Sequence, residues 1–351
     1  MPRISPARTV AFDVLLRVHE GAYASDLLVA KSKDLDTRDA GLASEIVFGC
    51  LRYQLQLDYL IGRSKLDIEV RIALRMGLYQ LRYLTRVPSH AAVAESVELV
   101  KRARKRSAAG LVNAVLRKAD RNPVEWPDRA TELSCPQWLL DRWDFQFGTE
   151  IATKIAREFL NPPRTWIAET GRTQDIGSQS IVPLLDLAPG QTFLDLCAAP
   201  GNKTALALEY GVKAVACDLH LHRLRNVSAT ANCHRVALDA TVSLPFDTLF
   251  DRILVDAPCS GTGTLGRNPE IKWRLKLSHL MELHDLQTRI LRNAMRHLKP
   301  GGRIVYSTCS LEPEENEAVI AAIPAPWTPS RRLPGVDPGD GFFAATLVLP
   351  P

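Results

Sequence analysis

Two cysteines in matching surroundings are the residues best equipped for chemistry. Cys259 lies in DRILVDAPCSGTGTLG (Asp251 to Gly266) and Cys309 in YSTCSLEPEEN (Tyr306 to Asn316). Each follows an apolar run that reads as a strand, and each sits in a short polar loop. Backbone amides and nearby cations in such loops lower a thiol's pKa, so a thiolate is expected near neutrality. Two thiols downstream of a glycine-containing cofactor loop suit covalent activation of a poor nucleophile. Cytosine is the natural candidate, because its carbon 5 takes a methyl group only after a thiolate has added at carbon 6. That addition requires ring nitrogen 3 to receive a hydrogen bond or a proton, and Asp256, just before Cys259, is placed to provide it. A base must later remove the hydrogen on carbon 5. Residue type and spacing leave open which cysteine attacks.

A lone cysteine is more often a small buried hydrophobe. That is the expectation for Cys50, Cys135, Cys217 and Cys233, and also for Cys197, although it falls inside the cofactor loop. The seven cysteines form no CxxC pair, so neither a zinc site nor a disulfide framework is favoured and no metal is expected. Reduced thiols fit a cytoplasmic setting.

The cofactor loop is LDLCAAPGNKTALALE (Leu194 to Glu209), a strand, a tight turn and a helix. Ligands in such folds bind at the carboxyl ends of strands. Ala198, Ala199 and Gly201 have little bulk and let backbone amides approach a ligand, and the following helix offers its positive end. Asp218 closes the next strand and suits ribose hydroxyls; Asp239 ends another and suits an adenine amino group. Each acid alone would read as a cap or a solvated loop residue. Together, and without the GxGxxG of a nicotinamide site, they point to S-adenosylmethionine.

These loops need a scaffold. At 351 residues the chain is long for one domain, and its 46% apolar content supports real cores. Helical spacing of apolar residues recurs over 7–18, 39–53, 68–84, from about 91, and over 109–118, which predicts a helical bundle. A basic run, Lys101 to Arg106, lies between the last two helices. Residues 135–160 read as one more helix, with Trp138, Leu139, Leu140, Trp143 and Phe145 as its apolar cluster. From Ile181 short apolar strands (192–196, 214–217, 252–255, 302–307) alternate with helices, which predicts a parallel sheet covered on both faces. The expected domains are 1–125, a linker and shortened connector at 126–180, and 181–351. No apolar run approaches the ~18 residues of a membrane span, the start MPRISPARTV does not resemble a secretory signal, and the net charge of +5 leans toward nucleic acid.

LDLCAAPGNKT, DAPCSGTG, NPEIKW, YSTCSLEPEEN and GDGFFAA (Gly339 to Ala345) resemble the Sun family of RNA cytosine-5 methyltransferases. TRDAGLASEIVFGCLRYQLQLD, VPSHAAVAESVELVK and GLVNAVLRK look like a NusB-type RNA-binding domain. The resemblance covers nearly the whole chain. It implies a helical NusB-like bundle followed by a Rossmann-like, S-adenosylmethionine-dependent methyltransferase domain, in a monomeric protein. By motif match, Cys309 is the nucleophile, and Cys259 is needed for product release. The same match makes Cys197, Ala198, Ala199, Pro200, Gly201, Asn202, Lys203, Asp218, Asp239 and Asp256 cofactor contacts. The implied reaction is methylation of a cytidine in small-subunit rRNA; the alternatives are a tRNA enzyme of the same chemistry and a non-catalytic RNA-binding or assembly factor. Where the family has two glycines this chain reads Gly201-Asn202, and Asn202 is expected to tolerate a left-handed turn. Between Pro163 and Ser180 a small α/β RNA-binding subdomain of the family is reduced to little more than a strap.

Overall fold

The structure is a computed structural model that describes residues 4–351 except 63–64, 168–170, 172, 225–226 and 228–231. The chain divides into two compact units, 1–162 with 265–274, and 163–264 with 275–351. The segment from 126 to 180 is therefore shared between them, the helices before Pro162 falling in the first and residues 163–180 in the second.

The first unit holds α1 (Pro6–His19), α2 (Ala24–Lys31), α3 (Thr37–Arg52), α4 (Gln54–Ile61), α5 (Ile68–Tyr83), α6 (Ser89–Arg102), α7 (Ala109–Arg117), α8 (Arg129–Glu132), α9 (Gln137–Phe147) and α10 (Thr149–Glu158). Asp36 caps α3 by accepting from the Asp39 amide, which satisfies an orphan donor of the first turn. Ala43, Ile46, Val47 and Cys50 on α3 face Ile72, Ala73 and Met76 of α5 in one core. The two helices meet closely because Gly49 has no side chain: a Cβ there would lie 1.9 Å from Tyr79 Cζ. Tyr79 instead donates to Glu45 Oε1 at 2.5 Å.

The single helix expected over 135–160 is two helices. Gly148, with φ +81°, breaks it, and Phe145 is 96% exposed rather than part of the apolar cluster with Leu139, Leu140 and Trp143. A left-handed glycine ends a helix cheaply, and the pattern on either side was continuous enough to hide the break. The basic run is largely committed within the unit. Lys101 pairs with Glu98, Arg102 with Asp13 and Lys105 with Asp67, while Arg104 and Arg106 are exposed.

Residues 265–274 end in α14 (Ile271–Arg274) and are bound into this unit. The buried Lys272 ammonium donates to the Arg52 and Ser134 carbonyls at 3.0 and 2.6 Å, and burial pushes its pKa down to about 8. Trp273 Nε1 donates to Leu51 O at 2.8 Å, and Glu270 Oε1 accepts from the Ala24 amide at 3.1 Å.

The second unit is a seven-stranded sheet in the order β3-β2-β1-β4-β5-β7-β6. Its strands are β1 (Thr192–Asp195), β2 (Lys213–Asp218), β3 (Cys233–Ala237), β4 (Phe250–Asp256), β5 (Leu298–Thr308), β6 (Thr328–Arg332) and β7 (Phe342–Val348). The first five run parallel and β7 is reversed, pairing antiparallel with β5 on one side and β6 on the other, so the sheet is mixed rather than parallel throughout. GDGFFAA supplies the start of β7. The strand that follows these glycines is buried almost throughout rather than on alternate residues.

The helices of this unit are α11 (Ile176–Gln179), α12 (Asn202–Leu208), α13 (Leu221–Leu224), α15 (Leu277–Met295) and α16 (Glu317–Ala321). Successive strand residues point to opposite faces. Leu194, Ile253 and Ile304 accordingly enter one core with Ile290 and Leu291 of α15, and Phe193, Leu254 and Val305 enter another with Ala207 of α12. The strand order reverses between β1 and β4, so their carboxyl ends open the crevice where α/β sheets bind ligands. All the predicted loops lie there. Among the described residues no helix is long and apolar enough to cross a membrane.

Candidate active site

Strand register brings the two cysteines together. β4 and β5 pair with Asp256 opposite Ser307, and the Ala257 amide donates to Ser307 O at 2.9 Å. The chain leaves both strands at the same height, and the Cys259 and Cys309 sulfurs end 3.3 Å apart. The Gly263 amide, donating to Cys309 O at 2.9 Å, ties the far side of one loop to the other.

Cys259 differs from the expectation of a thiolate. Cys259 is raised well above the usual thiol range, first by its hydrogen bond with Cys309 and then by burial. Two sulfurs this close cannot both carry charge.

Asp256 is surrounded by donors. Its Oδ2 accepts from Lys203 Nζ at 2.7 Å and its Oδ1 from Ser307 Oγ at 2.8 Å. Burial works against the Lys203 charge, but the attraction of Asp256 outweighs it and lifts the pKa. The expectation that Asp256 itself supplies a proton therefore shifts: the carboxylate accepts on both oxygens, and the proton in reach is on Lys203.

The loop from Cys197 to Lys203 turns as the cofactor reading requires, by a different route. Gly201 takes φ +105°, where a Cβ would lie 2.8 Å from Val227 Cγ2, so glycine is demanded at that position. Asn202 has no positive φ and simply begins α12; the expected left-handed role does not arise. The Ala198 amide donates to Cys217 O at 2.8 Å, Ala199 and Cys197 face the cavity, Pro200 is exposed, and Lys203 reaches Asp256. Cys197 packs against the core while also lining the cavity, and burial drives its thiol pKa well up. Cys50, Cys135, Cys217 and Cys233 are buried, as expected.

Asp218 ends β2 and is 6% exposed. Its carboxylate accepts from the His220 amide at 3.1 Å and, weakly, from the Ala199 amide at 3.4 Å. Most of its acceptor capacity is left for a ligand. Asp239 is exposed and folds into a turn, accepting from the Thr241 side chain and amide; these bonds hold its pKa below the usual range.

Sequence reasoning passed over four residues that shape this site. Asp195, buried at the end of β1, accepts from Thr204 Oγ1 at 2.7 Å, and burial against that bond lifts its pKa to about 7. Glu315 and Gln287 bind the two cysteine loops together. The signal for Asp195 was its place in LDLCAAPG, and for Glu315 its place in LEPEEN; Thr204 and Gln287 carried none.

A cavity of about 490 Å³ joins these residues, lined by Cys197, Asp218, Asp239, Asp256, Cys259 and Cys309. Leu219, Leu238 and Ile290 add apolar surface. Carboxylates and aliphatic side chains in one cavity fit an adenosine joined to a cationic amino acid. Among the described residues no group of three or more metal-ligating side chains is found.

Comparison with known proteins follows the same division. Residues 182–325 match the family described as 16S rRNA methyltransferase RsmB/F, and residues 5–121 match the NusB family. The ribosomal RNA small subunit methyltransferase B of Erwinia tasmaniensis is 33% identical, covering 99% of this chain and 100% of the relative. That alignment spans 430 positions against the 351 residues of this chain, so the relative carries residues that this chain lacks. The probable ribosomal RNA small subunit methyltransferase B of Bacillus subtilis is 32% identical, covering 90% and 87%. Among solved structures, PH0851 shares the fold with a TM-score of 0.77 at 21% identity, over 98% of this chain and 99% of its own. A methyltransferase homolog protein from Pyrococcus horikoshii overlays with a TM-score of 0.54 at 25% identity, over 64% and 100%. The cofactor is S-adenosylmethionine, and the acceptors and cavity at the β1 and β2 ends fit it. With a full-length relative at this identity and both units matched, the chain belongs to the RsmB family of ribosomal RNA small subunit methyltransferases.

Proposed function

We propose that this protein transfers a methyl group from S-adenosylmethionine to carbon 5 of a cytidine in small-subunit rRNA, through a covalent bond between Cys309 and the base. The observation that carries this reading is the pair of sulfurs 3.3 Å apart on the wall of the cofactor cavity, beside the Lys203–Asp256 ion pair. A methyltransferase that acts on an already nucleophilic atom needs neither thiol.

Each residue then has a task. Cys309 Sγ bonds to carbon 6, and the displaced electron pair moves through carbon 5 toward nitrogen 3, which takes a proton from Lys203. Asp256 holds that ammonium in place and stabilises it until transfer. The bound cofactor supplies an electrophilic methyl group on a sulfonium, and the loop at 197–201 with Asp218 and Asp239 orients it over carbon 5. Removal of the carbon 5 hydrogen then expels Cys309. Cys259, whose sulfur lies 3.3 Å from that of Cys309, first gives its own proton to solvent and then takes this hydrogen as a proton. Cys309 leaves as the thiolate, and nitrogen 3 returns its proton to Lys203.

The target assignment rests on the RsmB-family relatives, and RNA binding by the helical unit on its NusB match. Nucleoside mass analysis of RNA from a strain lacking this protein tests both parts of the proposal. One 5-methylcytidine in small-subunit rRNA is expected to disappear and to return with the wild-type gene. Unaltered rRNA with a missing tRNA mark would redirect the substrate, and no missing mark would sink the activity.

A further inference from the structure

We propose that Glu315 is a positioning residue that sets the spacing of the two thiols, by gripping the residue that follows each cysteine. The proposal rests on the thiol chemistry above, in which the reach of Cys259 to the Cys309 adduct matters.

Glu315 is fully buried and its carboxylate meets four neutral donors. Oε1 accepts from the Ser260 amide at 2.7 Å and from Gln287 Nε2 at 3.0 Å. Oε2 accepts from the hydroxyls of both Ser260 and Ser310. Ser260 follows Cys259 and Ser310 follows Cys309, so one carboxylate spans the two loops directly behind the sulfurs. The two hydroxyls also lie within 3.1 Å of each other.

The surroundings leave this carboxylate little freedom. Gln287 of α15 donates to Pro258 O at 2.9 Å with the same amide nitrogen that meets Glu315. Tyr306, three residues before Cys309, donates its hydroxyl to the Glu315 carbonyl at 2.5 Å. Asn316 accepts from Thr308 Oγ1 at 2.6 Å and donates to Ser310 O at 2.9 Å. The segment after Cys309 thus folds back and clamps the residues on both sides of it. Hydrogen bonds to a carboxylate are shorter and stronger than neutral ones, and a buried charge is tolerated here because all four donors converge on it.

Glutamine and alanine should separate geometry from stability. In Glu315→Gln the amide oxygen can keep the two N–H donors, and the amide nitrogen can donate to both serine hydroxyls, which reverse. In Glu315→Ala every link is lost. The direct readout is the rate at which a diazenedicarboxamide oxidant joins Cys259 to Cys309. That reaction removes two hydrogens and two electrons from the thiols, forms one S–S bond and reduces the oxidant to the hydrazine. It needs neither RNA nor methyl transfer, so it still reports spacing if the reaction proposed above is wrong.

Disulfide formation, followed by mass spectrometry, should slow about tenfold or more in Glu315→Ala and stay within about threefold of wild type in Glu315→Gln. In a methylation assay Glu315→Ala should lose about a hundredfold in kcat with KM for RNA little changed, as expected when reacting groups move by about an ångström. Cofactor affinity by calorimetry should be retained in both variants. An unchanged cross-linking rate in folded Glu315→Ala overturns the proposal. Should that variant not fold, the double variant Ser260→Ala with Ser310→Ala removes the grip on both hydroxyls. Slower cross-linking there supports the proposal, and an unchanged rate overturns it.

Discussion

The two walls of the site are built on opposite principles. On the cofactor wall, Asp218 and Asp239 stand at strand ends with acceptor capacity in hand: Asp239 is bonded within its own turn, and Asp218 adds to its turn only a long bond from the Ala199 amide and a loose pairing with Arg223 at 3.7 Å. On the thiol wall, the polar side chains around Cys259 and Cys309 engage each other: Glu315 with two serines and Gln287, Thr308 with Asn316, and Asp256 with Lys203 and Ser307. A wall that receives a ligand keeps bonds to offer. A wall that breaks and makes covalent bonds, as proposed for these thiols, is fixed beforehand, because error in the position of a nucleophile costs rate directly.

That contrast predicts a graded set of effects. Cys309→Ala should abolish methyl transfer, by about 10⁴-fold or more, and abolish covalent capture of RNA. Cys259→Ala should instead accumulate a protein–RNA adduct that survives a denaturing gel. An adduct with the first variant and none with the second would exchange the two roles. Asp218→Ala removes an acceptor of two hydrogen bonds to a charged group, each worth roughly 1.5–3 kcal/mol, and cofactor affinity by calorimetry should fall about tenfold or more. Unchanged affinity would show that this wall is not waiting for a ribose.

Asp239→Ala should weaken the cofactor only about threefold, because its carboxylate is exposed and partly satisfied by Thr241. A loss as large as that of Asp218 would remove the distinction drawn between them. The smallest effect lies at the opposite ends of the same strands. Asp251 is partly buried, which works against its charge, yet bonds from Thr192 and Lys299 draw its pKa down to about 2. A carboxyl depressed on folding adds stability above its unfolded pKa of about 4 and loses it as pH falls toward the folded value. Thermal melts of wild type and Asp251→Asn should therefore differ near neutrality and converge as pH falls from about 4 to about 2, with catalysis by folded protein at neutral pH little altered.

Much of the architecture was legible because periodicity reports burial. Helices α1, α3, α5, α6 and α7 and strands β1, β2 and β4 fall where apolar spacing put them, whereas the eight-residue α2 and α4 were not picked out. The reversed β7 and the edge strand β6 did not show, since β7 is buried almost throughout and β6, with a proline and two arginines, is mostly exposed, so neither alternates. The cysteines, the cofactor loop and the strand-end acids were readable from type and position. The proximity of the sulfurs was not, because it follows from the register of two strands far apart in sequence. Glu315 was quoted within a motif without a task, since a buried carboxylate and a solvated one look alike until partners are seen. The Gly201-Asn202 departure proved harmless for a reason no composition reveals: only the first position takes the left-handed turn.

The course of residues 265–274 carries a consequence for anyone who wishes to divide this protein. A fragment ending at Pro162 would contain every helix from α1 to α10, yet lack Lys272, Trp273 and Glu270. The carbonyls of Leu51, Arg52 and Ser134 would lose their donors, and the α2 amide of Ala24 its acceptor. The complementary fragment would carry those side chains on a loop with nothing to bury them. The chain is thus sewn through the helical unit a second time, and the stitch lies between the proline-cysteine loop and the helix that holds it. Neither half is a cassette that can be exchanged by cutting at one point.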